Sequence, residues 1–190
     1  MEYRNNTRTK WVKMEKHVDD NIVNWEYTDL GDYILLDRFK GSSLDIIVPN
    51  HINSKPVRLK AIDDLVIPNI KKIKSFTVLP HSDGSKVMLE TTELIYAFRE
   101  NCVLETINLS GLDTSKVVNM HGMFFGCQNI HTINLCGVDT TKVRDMRHIF
   151  AACPNLRFLD ISSFKTISLK YADNIFSFNY SLWFVKMSNF

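Results

Sequence analysis

The sequence predicts an α/β fold: a right-handed solenoid with short parallel strands on one face, short helices on the other, and a β-rich N-terminal cap. Two observations carry most of this. Apolar residues recur in blocks that begin at Leu104, Ile130, Leu156 and Leu182, a period of 26 residues. Within each block an alternating run is followed by apolar residues three and four apart. The first is the signature of a half-buried strand and the second of a helix with one apolar stripe. Composition agrees with a core-forming chain, since hydrophobic residues make up 45% and charged residues 23% of the 190, close to the globular average. Lys+Arg 23 against Asp+Glu 21 gives a net charge of +2, too balanced for a general nucleic-acid or membrane-surface binder.

Residues 1–23 come first, with Trp11, Met14, Val18 and Ile22 at near-helical spacing. They read as a helix or an ordered arm. The segment carries charges throughout and has no apolar run, which excludes a standard secretory signal peptide. No stretch reaches the roughly 18 apolar residues of a membrane span. The expectation is therefore a cytoplasmic protein, exposed at a surface only if a leader was removed. Residues 24–72 carry the apolar positions Trp25, Tyr27, Tyr33, Leu35, Phe39, Ile46, Val48 and Val57.

Residues 73–190 hold the repeats, with strands starting near 73, 104, 130, 156 and 182. In the earliest block Ile73, Phe76 and Val78 form the strand, and Leu94, Ala97 and Phe98 the opposite half; the loop between them is about five residues longer than in later blocks. In the regular blocks Ile107, Ile133, Leu159 and Val185 share one position, and Leu109, Leu135, Ile161 and Met187 another. Asp113-Thr114-Ser115 and Asp139-Thr140-Thr141 supply side-chain acceptors where a helix could start. Val117, Met120, Met123 and Phe124 then give the apolar stripe. One such unit cannot bury its apolar side alone, so neighbours must stack.

The pattern L-x-x-I-x-L-s-x-h-D-T-[ST]-K-V-x-x-M-x-x-[MI]-F-x-x-C-x-N resembles the BspA-like leucine-rich repeat of bacterial surface proteins, also found in some protozoa and mobile elements. The match is close from Leu104 and Ile130 and looser from Leu156, where Ala172 stands for Met and Asn179 for Cys. The resemblance covers about residues 24–190 and implies that residues 24–72 form a β-rich cap and opening repeat. It implies a leucine-rich-repeat solenoid that binds other proteins. The resemblance suggests a cell-surface adhesin, whereas the lack of a signal peptide and the short array fit an intracellular effector or inhibitor of a macromolecular target, of a kind that a mobile element could encode.

Nothing in the sequence supports an enzyme, a cofactor or a metal centre. Cys127 and Cys153 share one repeat position and read as small core residues; Cys102 lies one place away and Cys136 points outward. The six histidines lack metal-ligand spacing, with His121 and His148 on a solvated edge. Basic residues cluster at 4–16 and 55–74, more in keeping with a solvated face than with a nucleic-acid site. The candidate partner-binding residues are those on the outward side of the strands. Third positions are Thr106, Thr132, Phe158 and Phe184, fifth positions are Asn108, Asn134, Asp160 and Lys186, and Trp183 is a second position. Phe158, Trp183 and Phe184 make an apolar patch of hot-spot composition. The sequence given stops inside the fourth block, so either a protein partner, which includes a second copy in a homodimer, covers the last strand, or the chain is a piece of a longer array; the partner is the favoured expectation.

Overall fold

In the computed structural model, residues 19–63 and 65–188 are described. The chain opens with a 3-10 turn, Asp19–Asn24, and the hairpin β1 (Trp25–Asp29) and β2 (Ile34–Phe39). β3 (Asp45–Val48), the two-residue β4 (His51–Ile52) and β5 (Lys55–Leu59) follow, then a second 3-10 turn, Ile70–Lys72. The Asn53-Ser54 link between β4 and β5 has positive φ at both residues, the geometry that a tight hairpin turn demands. The repeats supply β6 (Ser75–Val78), β7 (Val87–Leu89), β8 (Thr106–Asn108), β9 (Leu112–Asp113), β10 (Thr132–Asn134), β11 (Phe158–Asp160) and β12 (Phe184–Lys186).

These strands stack as parallel ladders, one strand per turn of the solenoid. One ladder runs β2-β5-β7-β9, with β1 antiparallel on its outer edge as the cap. A second runs β3-β6-β8-β10, and β11 pairs with β12 in a separate pair. In the cap, Trp25, Ile34, Leu36 and Phe39 face inward. Alternation therefore turns Leu35 and Tyr33 outward, and Tyr27 is exposed, so these three do not join the core as expected. Residues 80–92 are not merely a long loop, because β7 slots between β5 and β9.

The expected helices are absent: among the described residues no α-helix forms. Val117, Met120, Met123 and Phe124 are buried as the pattern requires, but on consecutive tight turns. The reason lies in the backbone. Tyr96, Gly122, His148 and Asn174 have positive φ, and so, four residues further on, do Glu100, Gly126, Ala152 and Phe178. A left-handed residue every fourth place breaks any helix. The N–H groups of Met120, Gly122, Phe124 and Gly126 donate instead to carbonyls of Asp145, Arg147, Ile149 and Ala151 in the next turn. Those of Met123, Phe125 and Cys127 close local turns three residues back. Stacked turns and a helix share a period near three to four, so apolar spacing cannot tell them apart. Gly122 is also where a side chain would collide, since a Cβ there would lie 2.3 Å from the Tyr96 ring.

Side chains lock the corners. Asn108, Asp113, Asn119, Asn134, Asp139, Asp145 and Asp160 each accept the N–H two residues on, the Asx turn. Asp113 and Asp139 thus do accept backbone N–H groups as expected, but they open turns rather than helices. Phe98, Phe124, Phe150 and Phe176 form one stacked column at 5.5, 5.6 and 6.0 Å. Cys127 and Cys153 donate their thiols to the carbonyls of Phe98 and Phe124 in the preceding turn. Asn101 and Asn179 occupy the equivalent place and also donate backwards, to Ile70 and Ile73 and to Phe150.

Candidate functional site

The strand positions expected to meet a partner divide into three groups. Asn108 is only 5% exposed; its Oδ1 accepts from Ser110 N–H and from Asn134 Nδ2. It builds an asparagine ladder and is withdrawn from the surface, contrary to its expected role, because its polar groups are spent internally. Asn134 is the second rung of that ladder and half-buried, and Thr106 is half-buried, while Thr132 is exposed. At the far end Phe158, Phe184 and Trp183 are 48%, 45% and 77% exposed. Phe158 stacks on Phe184 at 5.4 Å, and Trp183 leans on Phe184 at 6.1 Å. Lys186 Nζ pairs with Asp160 Oδ2 at 3.0 Å beside them. Hydrogen bonds from Ser162 N–H and Oγ–H, with Lys186, pull the Asp160 carboxyl down to about 2. On the inward side of the same strand and the turn after it, Leu159, Ile161 and Phe164 are buried in the core.

The strand ladder is open at one joint. From turn to turn one carbonyl receives two successive N–H groups: Leu44 from Lys74 and Ser75, Lys74 from Glu105 and Thr106, Glu105 from His131 and Thr132, Arg157 from Trp183 and Phe184. Between His131 and Arg157 this rung is missing, and no strand pairing joins β10 to β11. The rung from Leu109 N–H to Asn134, repeated from Ile161 N–H to Lys186, has no counterpart from Leu135 to Asp160. On the other faces the same two turns stay joined, through Thr140 Oγ1 to Lys165 and through Asp145 opposite Tyr171. The side chains supply a reason. Asn134 donates its amide back to Asn108, but Asp160 has no N–H to donate back to Asn134. A cavity of about 540 Å³ flanks the open joint, lined by Glu105, Asn129, His131, Asn155 and Arg157. Their positions had not been singled out from the sequence. Asn129 and Asn155 are the repeated Asn that closes the blocks from Leu104 and Ile130, whereas Glu105, His131 and Arg157 are second positions whose side chains vary from block to block.

Other chemistry-bearing residues have structural partners. All four cysteines are free thiols, with Cys102 and Cys136 exposed. Burial raises Cys127 far above the ordinary thiol range and Cys153 to about 12. His121 is not on a solvated edge: its Nε2 meets Tyr96 Oη at 2.7 Å, and its Nδ1 lies 3.7 Å from Asp145. It sits within an aromatic and cationic cluster in which Arg99 covers Tyr96 and Arg147 covers Tyr171. Of the 55–74 cations, Lys55 pairs with Asp29, Arg58 with Glu90 and Lys71 with Glu100. The 4–16 cluster and Phe190 lie outside the described residues. Among the described residues no group of three His, Cys, Asp or Glu is placed to hold a metal ion, and no helix is long and apolar enough to cross a membrane.

Comparison with known proteins adds the following. No curated protein matches the chain. A leucine-rich cell surface protein from Faecalibacterium prausnitzii is similar in structure at 14% identity and a TM-score of 0.43, over 87% of this chain and 41% of that one. The chain thus spans about two fifths of that protein's length. A leucine-rich repeat protein from T. pallidum is similar at 12% identity and a TM-score of 0.38, over 87% of this chain and 80% of that one. The family described as "Mycoplasma protein of unknown function, DUF285" matches residues 92–188, more than half of the chain, and the chain belongs to that family.

Proposed function

We propose that this solenoid is a non-enzymatic protein-binding module whose partner docks on the strand face at its aromatic end. The observation that carries the reading is the stack of Phe158, Phe184 and Trp183, all well exposed. A stack held on a rigid ladder loses little side-chain freedom when covered, and aromatic anchors with a charged rim are the composition of a binding hot spot. Asp160 and Lys186 supply that rim. Thr132 and the half-buried Thr106 and Asn134 continue the face as polar contacts, while Asn108 serves the scaffold. In this reading the protein acts on a macromolecular target by occupying it, as an effector or inhibitor inside the cell.

The test is capture from the lysate of the native host with mass identification, comparing the wild type with Trp183→Ala/Phe184→Ala. The double variant should lose the specifically captured protein while its circular dichroism is unchanged. Retained capture by a folded double variant would remove this end as the site. Sedimentation over a concentration series adds the second-copy outcome: a dimer that the double variant abolishes makes the partner another copy of this chain.

A further inference from the structure

We infer that the groove beside the open joint is a binding site for a zwitterionic, peptide-like ligand that places a carboxylate on Arg157 and a cationic amine on Glu105. The inference goes beyond the protein-docking reading and uses different side chains. The five lining residues are all polar, so whatever fills the groove is polar as well. Glu105 and Arg157 line the same cavity, yet neither has an ion pair or side-chain hydrogen bond among the described residues. Two opposite charges facing one cavity without meeting leave both free for a ligand of complementary charge.

The remaining groups set the polarity of the ligand. Asn129 Nδ2 is spent on the Cys102 carbonyl and Asn155 Nδ2 on that of Gln128. These amides therefore offer the groove acceptor oxygens and no free donor beyond their second N–H. His131 Nδ1 is held by Thr132 Oγ1 at 3.0 Å, which leaves Nε2 for the ligand. The groove thus carries the Glu105 carboxylate and, two turns on, the guanidinium fork of Arg157, a geometry matched to carboxylate. A dianion such as a phosphate monoester is a poor fit because Glu105 shares the cavity and repels it.

Length follows from the ladder. Glu105 and Arg157 hold the same repeat position two turns apart, on the order of 10 Å or more, because the second step crosses the unpaired joint. An extended chain covers about 3.3–3.6 Å per residue, so charges about three residues apart fit. The same chemistry is present in a free tripeptide and in an extended partner segment with basic and acidic side chains at that separation.

Three probes separate these sources: trialanine with free termini, the same peptide acetylated and amidated, and acetyl-Lys-Ala-Glu-amide. Binding is read by isothermal titration and by amide shifts of the full chain. The inference expects saturable binding of free trialanine or of the Lys-Ala-Glu peptide, and the stronger of the two names the source. Arg157→Ala and Glu105→Gln should each weaken that binding roughly tenfold or more, with unchanged circular dichroism. Trp183→Ala/Phe184→Ala should leave it intact, which keeps this site distinct from the docking surface. Equal binding of the blocked trialanine, indifference to both variants, or no saturable binding of either charged probe would overturn the inference.

Discussion

The turns that begin at Leu104 and Ile130 and the turn that begins at Leu156 share one pattern but differ in how it is used. In the first two, Phe124 and Phe150 are buried between stacked rings on both sides, and Met120 and Met146 are buried beneath them. In the third, Phe176 is half-buried and Ala172 is exposed where the methionines were. The apolar position is the same in each case. What differs is the number of neighbouring turns, so burial here is a property of the stack and not of the residue. Phe124→Ala should cost about 3–5 kcal/mol, the usual range for a buried phenylalanine with neighbours that cannot collapse. Phe176→Ala should cost less than half of that. Urea unfolding of both variants checks the pair, and equal losses would mean that the last turn is as firmly packed as the central ones.

The two joints on either side of Thr132–Asn134 make a second comparison. Thr114 and Thr140 are buried twins: each hydroxyl donates to a carbonyl of the next turn, of Asp139 or Lys165, and accepts that residue's N–H. The Thr114 joint is backed by β8-β10 pairing, whereas the Thr140 joint has no strand pairing behind it. Thr140→Val leaves the Lys165 N–H and C=O unpaired, at about 1–3 kcal/mol. It should also loosen β11 and β12 more than Thr114→Val loosens β8 and β10. Hydrogen exchange of the two strand pairs reads that difference. Equal protection after both substitutions would show that the turn side alone holds the stack.

The period, the strand positions and the inward residues were legible because stacking reuses one pattern: Ile107, Ile133 and Leu159 must all face the same core. The helix expectation failed because Met120, Met123 and Phe124 suit a stripe of either kind. The deciding feature, positive φ at two positions of each block, is marked by glycine at Gly122 and Gly126 but falls on His148 and Ala152 one turn later, so the sequence does not repeat the signal. β7 goes unmarked by the pattern because it lies in the one loop whose extra length breaks the 26-residue period. In the candidate site, Trp183, Phe158 and Phe184 stood out by type, as large aromatics at outward positions. The withdrawal of Asn108 and the groove at Glu105 and Arg157 depend instead on which turn-to-turn bonds form. A list of outward positions does not contain that information.

Thiols test the same division chemically. Cys127 and Cys153 bond to carbonyls in the interior and are raised by burial, whereas Cys102 and Cys136 are exposed. At pH 8 the exposed pair should react with a disulfide reagent and the buried pair should not, because the thiolate is the reacting species. Labelling before and after denaturation counts them. Rapid reaction of all four in the native protein would mean that the column of turns opens more readily than its packing implies.

The smallest expected effect bears most directly on why one joint is open. Asn108 Oδ1 already accepts both Ser110 N–H and Asn134 Nδ2. Asn134 Oδ1 accepts Cys136 N–H and has room for a second donor, which Asp160 cannot provide. Asp160→Asn supplies an amide in the right place and should extend the ladder, raising exchange protection at the joint. The gain, about 0.5–1.5 kcal/mol for one bond, is set against loss of the exposed Lys186 pair, worth about 0–1 kcal/mol. Net stability near neutrality should therefore change little. Acid behaviour should change more clearly. The Asp160 carboxyl is held at about 2 by Ser162 and Lys186, below its unfolded range. Its stabilising contribution is present above that range and is lost as pH falls toward 2. Asp160→Asn removes this part of the acid dependence, so the variant should lose less stability than the wild type between about pH 4 and pH 2. Unchanged protection at the joint would shift the cause from the missing amide to the bulk of Arg157 and Phe158 opposite His131 and Thr132.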